Sequence, residues 1–112
     1  MKDINRVVLT GEVVSDATFA YTPRGTGVTT FTLAFFSEQC GRGQQRGTID
    51  VVCLGDEAMK CAGIVKRSEK VKIEGRLQQR NWKTPEGFHK SKTEIVAHTV
   101  ESLRAATTQE AG

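Results

Sequence analysis

Two-residue alternation, repeated in several separate stretches, is the feature that most narrows what this chain can become. Alternate side chains of an extended strand share a face. In VKIEGRLQQRNW, Val71, Ile73, Gly75 and Leu77 fall on one side, and Lys72, Glu74, Arg76, Gln78, Arg80 and Trp82 on the other. NRVVLTGEVV sets Val7, Leu9, Gly11 and Val13 against Val8, Thr10, Glu12 and Val14. VTTFTLAFF sets Phe31, Leu33 and Phe35 against Val28, Thr30, Thr32, Ala34 and Phe36. With β-branched residues abundant among them, these stretches are expected to be strands. TIDVVCL reads as a further strand, and FHKSKTEIVAHTVESL as the hairpin partner of the tryptophan-bearing one across a turn at KTPEG.

The connecting segments read differently. SDATFAYTPRGTG is punctuated by Pro23, Gly25 and Gly27 and is expected to be turn. EQCGRGQQRG, residues 38–47, has no apolar periodicity and is expected to be a mobile hairpin loop. Its GxG spacing echoes a dinucleotide-binding fingerprint, but no helix follows to supply the phosphate site. A helix is expected from about Asp56 to Arg67, where Ala58, Cys61, Ala62 and Val65 recur at helical spacing. Asp56 and Glu57 open it and Lys66 and Arg67 close it, as the macrodipole favours, while Gly63 weakens it.

Five strands with a single helix between the third and fourth is the element order of an oligonucleotide-binding (OB-fold) barrel, although the residues alone also allow another small β-barrel. The expected fold class is therefore all-β. At 112 residues the chain makes one domain, expected over residues 1–104, with the small polar residues 105–112 as a frayed tail.

The net charge is only +3, but residues 60–92 hold ten basic and three acidic side chains, whereas the segments on either side are each net −2. Such unevenness points to a polyanionic partner. The only tryptophan lies in this basic segment, on the arginine-bearing face and away from the apolar row. No apolar run approaches the roughly 20 residues of a membrane span, and no signal peptide is legible, so a cytoplasmic protein without membrane partners is expected. Cys40, Cys53 and Cys61 lack paired spacing and read as reduced thiols, not a disulfide framework or zinc site. His89 and His98 lie near no convincing nucleophile, and Asp56–Glu57 reads as helix N-terminal charge more readily than as a metal cluster with Asp50. Binding is expected in place of catalysis, with no metal or cofactor.

In order and spacing, NRVVLTGEVVSD, YTPRGTGVTTFTLA, DVVCLG, KVKIEGRLQQRNW and TEIVAHTVESL resemble the bacterial single-stranded DNA-binding protein family from about Ile4 to Leu103. The resemblance implies an OB-fold that binds single-stranded DNA without strong sequence preference, in replication, recombination or repair. It also implies a homo-oligomer, tetramer favoured over dimer. The mechanism it implies stacks bases on exposed aromatics while a basic groove follows the phosphates. Trp82 falls on one of the family's stacking positions. The alternative is that it caps the barrel or fills a subunit interface.

On this reading Trp82 stacks a base with Phe88 as a helper, and Lys72, Arg76, Arg80, Lys83, Lys90 and Lys92 line the phosphate path. Arg42 and Arg46 clamp it from the loop, and Glu74 is expected to pair with Arg76 or with a basic residue on a neighbouring strand. The first strand, with Asn5 and Arg6 at its start, is the expected dimer edge.

The sequence also departs from the family. Gln39, Thr48 and Leu54 stand near other stacking positions and are not aromatic, and Ala17 replaces a frequent proline. The acidic, phenylalanine-tipped tail is expected to be missing, since the chain ends Gln109-Glu110-Ala111-Gly112. Weaker and more electrostatic binding follows, unless Phe88 or Phe36 compensates. The pleat puts only one of Phe35 and Phe36 into the core, and whether Phe36 is exposed stays open. The alternative reading is a PriB-type primosomal replication protein, a DNA- and helicase-binding adaptor.

Overall fold

The computed structural model describes residues 3–39 and 43–103. Its elements are β1 (Val7–Val13), β2 (Thr18–Tyr21), β3 (Gly27–Gln39), β4 (Gly43–Leu54), α1 (Asp56–Ile64), β5 (Lys70–Lys83) and β6 (His89–Ser102). The strands run in the order β1-β5-β6-β4-β3-β2, and a further β1–β3 pairing closes the sheet. The closed sheet is thus made of β1, β3, β4, β5 and β6, with α1 between β4 and β5. This is the OB arrangement that the order of elements implied.

Alternation puts the expected rows inside. Val13, Phe31, Leu33, Val51, Cys53, Val71, Ile73, Ile95, Ala97 and Val100 form the core, together with Ala58, Cys61 and Val65 from the helix region. Cys53 and Cys61 are free thiols buried there, and hydrogen bonding to Cys61, together with burial, pushes the Cys53 thiol up. On β6 the inward row changes parity between Ala97 and Val100. The register explains it: Glu74 opposes Thr99 and Gly75 opposes Ala97, so His98 is an extra residue bulged out of the ladder. Without it, Ala97 and Val100 could not both face the core.

Three expectations need correcting. Within the segment read as turn, Thr18–Tyr21 is a short strand on β3, and only the residues that follow make the turn. There the Thr22 hydroxyl accepts from the Thr26 amide at 3.1 Å, and Gly25 takes φ 85°. All four of its residues are exposed, so it has no buried row for alternation to mark.

The segment read as a loop at 38–47 is largely ladder, with Phe36 opposite Arg46 and Gln39 opposite Gly43. Around Ser37, Gly43, Gln45 and Arg46 the hairpin extends beyond the core with exposed side chains, so it has no apolar row to read. Cys40 and Arg42 lie outside the described residues, as do Arg104 and the expected tail over residues 105–112.

The helix ends at Ile64, short of Arg67. Val65 turns extended and buried, and the turn after it is tied to β1 by Ser68 N–H to the Val13 carbonyl and Val13 N–H to the Glu69 carbonyl, both 2.8 Å. Ala62 is exposed, leaving Ala58 and Cys61 as the buried face of α1. Thr29, buried on β3, donates its hydroxyl to the Ala58 carbonyl at 2.6 Å and fixes the helix against the barrel end. Among the described residues no helix is long and apolar enough to cross a membrane.

The first strand is not an open edge along its whole length. β5 pairs with it over Val7–Glu12, and β3 takes its other flank at Glu12 and Val13. No strand among the described residues pairs with that second flank over Val7–Gly11. The start of the strand is held on β5: the Asn5 amide donates to the Leu77 carbonyl and accepts from the Leu77 N–H, both at 2.9 Å.

Candidate nucleic-acid interface

Cross-strand partners share a face, so the register shows which side chains meet. On the outside of the β5–β6 pair, Arg76 lies opposite Val96, Gln78 opposite Glu94, Arg80 opposite Lys92 and Trp82 opposite Lys90. On β4, Asp50 opposes Glu94 and Val52 opposes Val96. β3 carries the face onward, with Val28 against Leu54, Thr30 against Val52 and Thr32 against Asp50. These strands form one continuous outer face with an open groove of about 360 Å³. Its floor combines apolar side chains (Val28, Val52, Leu54, Val96) with Gln78, Arg80, Lys92 and Glu94.

Trp82 stands near the far end of β5, 46% exposed, with the Arg80 guanidinium carbon 6.0 Å from its ring centroid. It therefore does not fill the barrel. Phe88 is 66% exposed beside the β5–β6 turn, where its N–H donates to the Thr84 hydroxyl at 3.1 Å. Lys90 shares the tryptophan's face, whereas the pleat puts Lys83, opposite His89, on the reverse of the hairpin. Lys72 lies between Thr10 and Glu101 at the other end of β5, away from the groove. Arg46 lies on the outer face of β4, about 13 Å along the strand from Asp50. Opposite it is Phe36, 64% exposed, because Phe35 turns inward over Gly47. A second groove, between these residues, Lys70 and Thr10–Glu12, also measures about 360 Å³.

Two of the expected phosphate ligands already have anionic partners. The Arg80 Nε–H donates to Glu94 Oε1 at 2.9 Å, and Gln78 donates to the same oxygen at 3.3 Å. Lys92 pairs with Asp50, whose carboxylate also accepts from the Thr32 hydroxyl at 2.8 Å. Glu94 is 3% exposed. Stranding a buried carboxylate by removing its partner costs about 3–5 kcal/mol, whereas an exposed ion pair is worth at most about 1 kcal/mol. A phosphate cannot therefore draw Arg80 away from Glu94.

Glu74 pairs with Arg6, just ahead of β1, and that guanidinium holds its carboxyl below the usual carboxylate range. A basic partner from a neighbouring strand was one of the two expected, and Arg76 is not the one used.

The Lys92 ammonium is likewise the main cause holding the Asp50 carboxyl below its ordinary value, helped by Thr32 and opposed by partial burial. A depressed folded-state pKa contributes stability that is present above the ordinary carboxylate range and is lost as pH falls through the lowered value. Urea midpoints of wild type and Asp50→Asn are accordingly expected to separate at neutral pH and to draw together in acid.

Sequence reasoning missed Glu94 and the valines of this groove's floor, and Asp50 and Thr32, which hold Lys92 beside it. The legible signal was an acid standing at an alternate position inside each of two apolar strands, TIDVVCL and TEIVAHTV. Among the described residues no group of three or more His, Cys, Asp or Glu side chains is arranged to hold a metal.

Residues 4–103 match the family model described as the Single-strand binding protein family. The chain belongs to that family. It is 36% identical over 103 residues to single-stranded DNA-binding protein A of Bacillus subtilis, a match covering 89% of this chain and 59% of that protein. To single-stranded DNA-binding protein 1 of Streptococcus agalactiae it is 36% identical over 112 residues, covering 97% of this chain and 68% of the relative. The chain thus spans about three fifths of the length of the Bacillus relative. In this family member, the basic hairpin that bears Trp82 and the apolar groove lie on one face.

Proposed function

We propose that this chain binds single-stranded DNA without strong sequence preference and acts in DNA replication, recombination or repair in the cytoplasm. The observation that carries the reading is Trp82, half exposed beside Arg80 and Lys90 on the face that continues into the groove. A flat π-face next to cations suits a base and its phosphate, whatever the base. The names of the relatives point the same way, and the family match over residues 4–103 favours this reading over the primosomal adaptor.

Trp82 and Phe88 supply stacking surface. Arg76, Lys90 and Arg46 supply phosphate contacts, Arg80 and Lys92 line the groove in their carboxylate pairs, Lys72 and Lys83 add charge at the margins, and Arg42 is kept as an expected phosphate ligand outside the described residues. The protein binds as a homo-oligomer, tetramer before dimer. The β1 flank over Val7–Gly11, without a strand partner among the described residues, is a natural seam for a second copy. Catalysis, a cofactor and a metal form no part of this function, and replication or repair proteins are its partners beyond DNA.

Because Trp82 is the only tryptophan, its fluorescence reports the contact directly. Titration with oligo(dT) is expected to quench it, less so as salt rises. Binding by anisotropy without quenching would move the contact away from Trp82, and no binding at low salt would sink the function.

A further inference from the structure

Resting on the single-stranded DNA reading above, we propose that Asp50 and Glu94 act as a brake on the groove: by occupying Lys92 and Arg80 they hold DNA affinity and salt sensitivity below what its basic side chains alone would produce.

The placement of the acids is the first ground. Asp50 and Glu94 are direct partners across the parallel β4–β6 pair, so two like charges face each other in mid-sheet. Such a pair is tolerable while each carboxylate has a cation, and each does: Glu94 holds Arg80, and Asp50 holds Lys92. The resulting four-charge cluster is net neutral and lies in a face otherwise suited to a polyanion.

The second ground is that Arg80 cannot change partners. Glu94 is almost wholly buried while Arg80 is half exposed, so moving the guanidinium onto a phosphate strands a carboxylate inside the sheet. A phosphate brought over the cluster also adds a third anion to the two already there. The middle of the groove therefore suits bases, with Val28, Val52 and Val96 beneath them, and contributes little counterion release.

The test compares wild type, Asp50→Asn, Glu94→Gln and the double variant, measuring oligo(dT) affinity by anisotropy across a salt series. Each amide keeps the shape of the acid and removes its charge. Each single variant is expected to bind ~2- to 5-fold more tightly. The slope of log affinity against log salt should steepen by ~0.7 for each cation released. Asp56→Asn, an equal charge change on α1, is expected to leave the slope unaltered.

Unchanged or weaker binding at an unchanged slope would overturn the proposal and make the acids mere positioners of the two cations. Thermal melting separates misfolding from either result. Should Glu94→Gln not fold, the half-buried Asp50→Asn decides the matter alone. Absence of binding by wild type and variants alike at low salt would bring down the DNA reading itself, a result distinct from failure of the brake.

Discussion

Gly75→Ala is expected to cost about 3 kcal/mol of stability or more, lowering the thermal midpoint by roughly 10–20 °C. A β-carbon at this position would lie 2.1 Å from the Val96 carbonyl oxygen and 2.7 Å from Ala97 Cα. Both obstacles are backbone, so no rotamer change relieves the clash, and the strands must part. They would part beside the His98 bulge, where the register that puts Ala97 and Val100 into the core is set. Gly63→Ala offers an internal contrast. Nothing lies within 4 Å of its would-be β-carbon on α1. That substitution is expected to stabilise by about 0.5–1 kcal/mol. Thermal or urea unfolding of the two variants should move in opposite directions. A near-neutral Gly75→Ala would mean that β5 and β6 can separate at the bulge without loss of the barrel.

The second large effect is on binding. Trp82→Leu is expected to weaken oligo(dT) binding by about 1–3 kcal/mol, or roughly 5- to 150-fold. Stability should scarcely change, since the indole is nearly half exposed and no member of the buried core. The salt slope should also stay as in wild type, because a stacking contact displaces no counterions. Trp82→Phe, which keeps a π-face, should recover much of the loss. Equal affinity for wild type and Trp82→Leu would assign the tryptophan to another contact, such as a subunit interface.

Most of the barrel was legible because its rows obey one simple rule. Val71, Ile73 and Gly75 alternate with charged residues, as do Phe31 and Leu33 with threonines, and a half-buried strand needs no more than that. The rule failed where one of its conditions lapsed. Thr18–Tyr21 is exposed at every position and has no inward row. Around Phe36, Ser37, Gln45 and Arg46 the β3–β4 hairpin is exposed on both faces, and Leu77, in the apolar row of β5, is 45% exposed because the hairpin has left the core by that point.

The site was legible only as an inventory. Trp82 and its basic neighbours could be listed, but their pairing could not, since Asp50 and Glu94 meet only through the parallel β4–β6 register. Local alternation carries no information about which distant strand becomes a neighbour. The neutral cluster therefore emerges from topology alone, and two side chains that looked like free cations prove to be held.

The two long hairpins that reach past the barrel have a consequence for how such a protein can change over generations. Around Phe36 and Arg46 on one, and from Asn81 to Ser91 on the other, the exposed side chains lie outside the buried core. Their ladders rest on backbone pairing, which is nearly indifferent to side-chain identity. Aromatics and charges there can be exchanged, added or lost with little penalty to folding, while the barrel beneath stays under tight constraint. Selection acting through the nucleic acid can therefore rewrite the grip of these arms without disturbing the body that carries them.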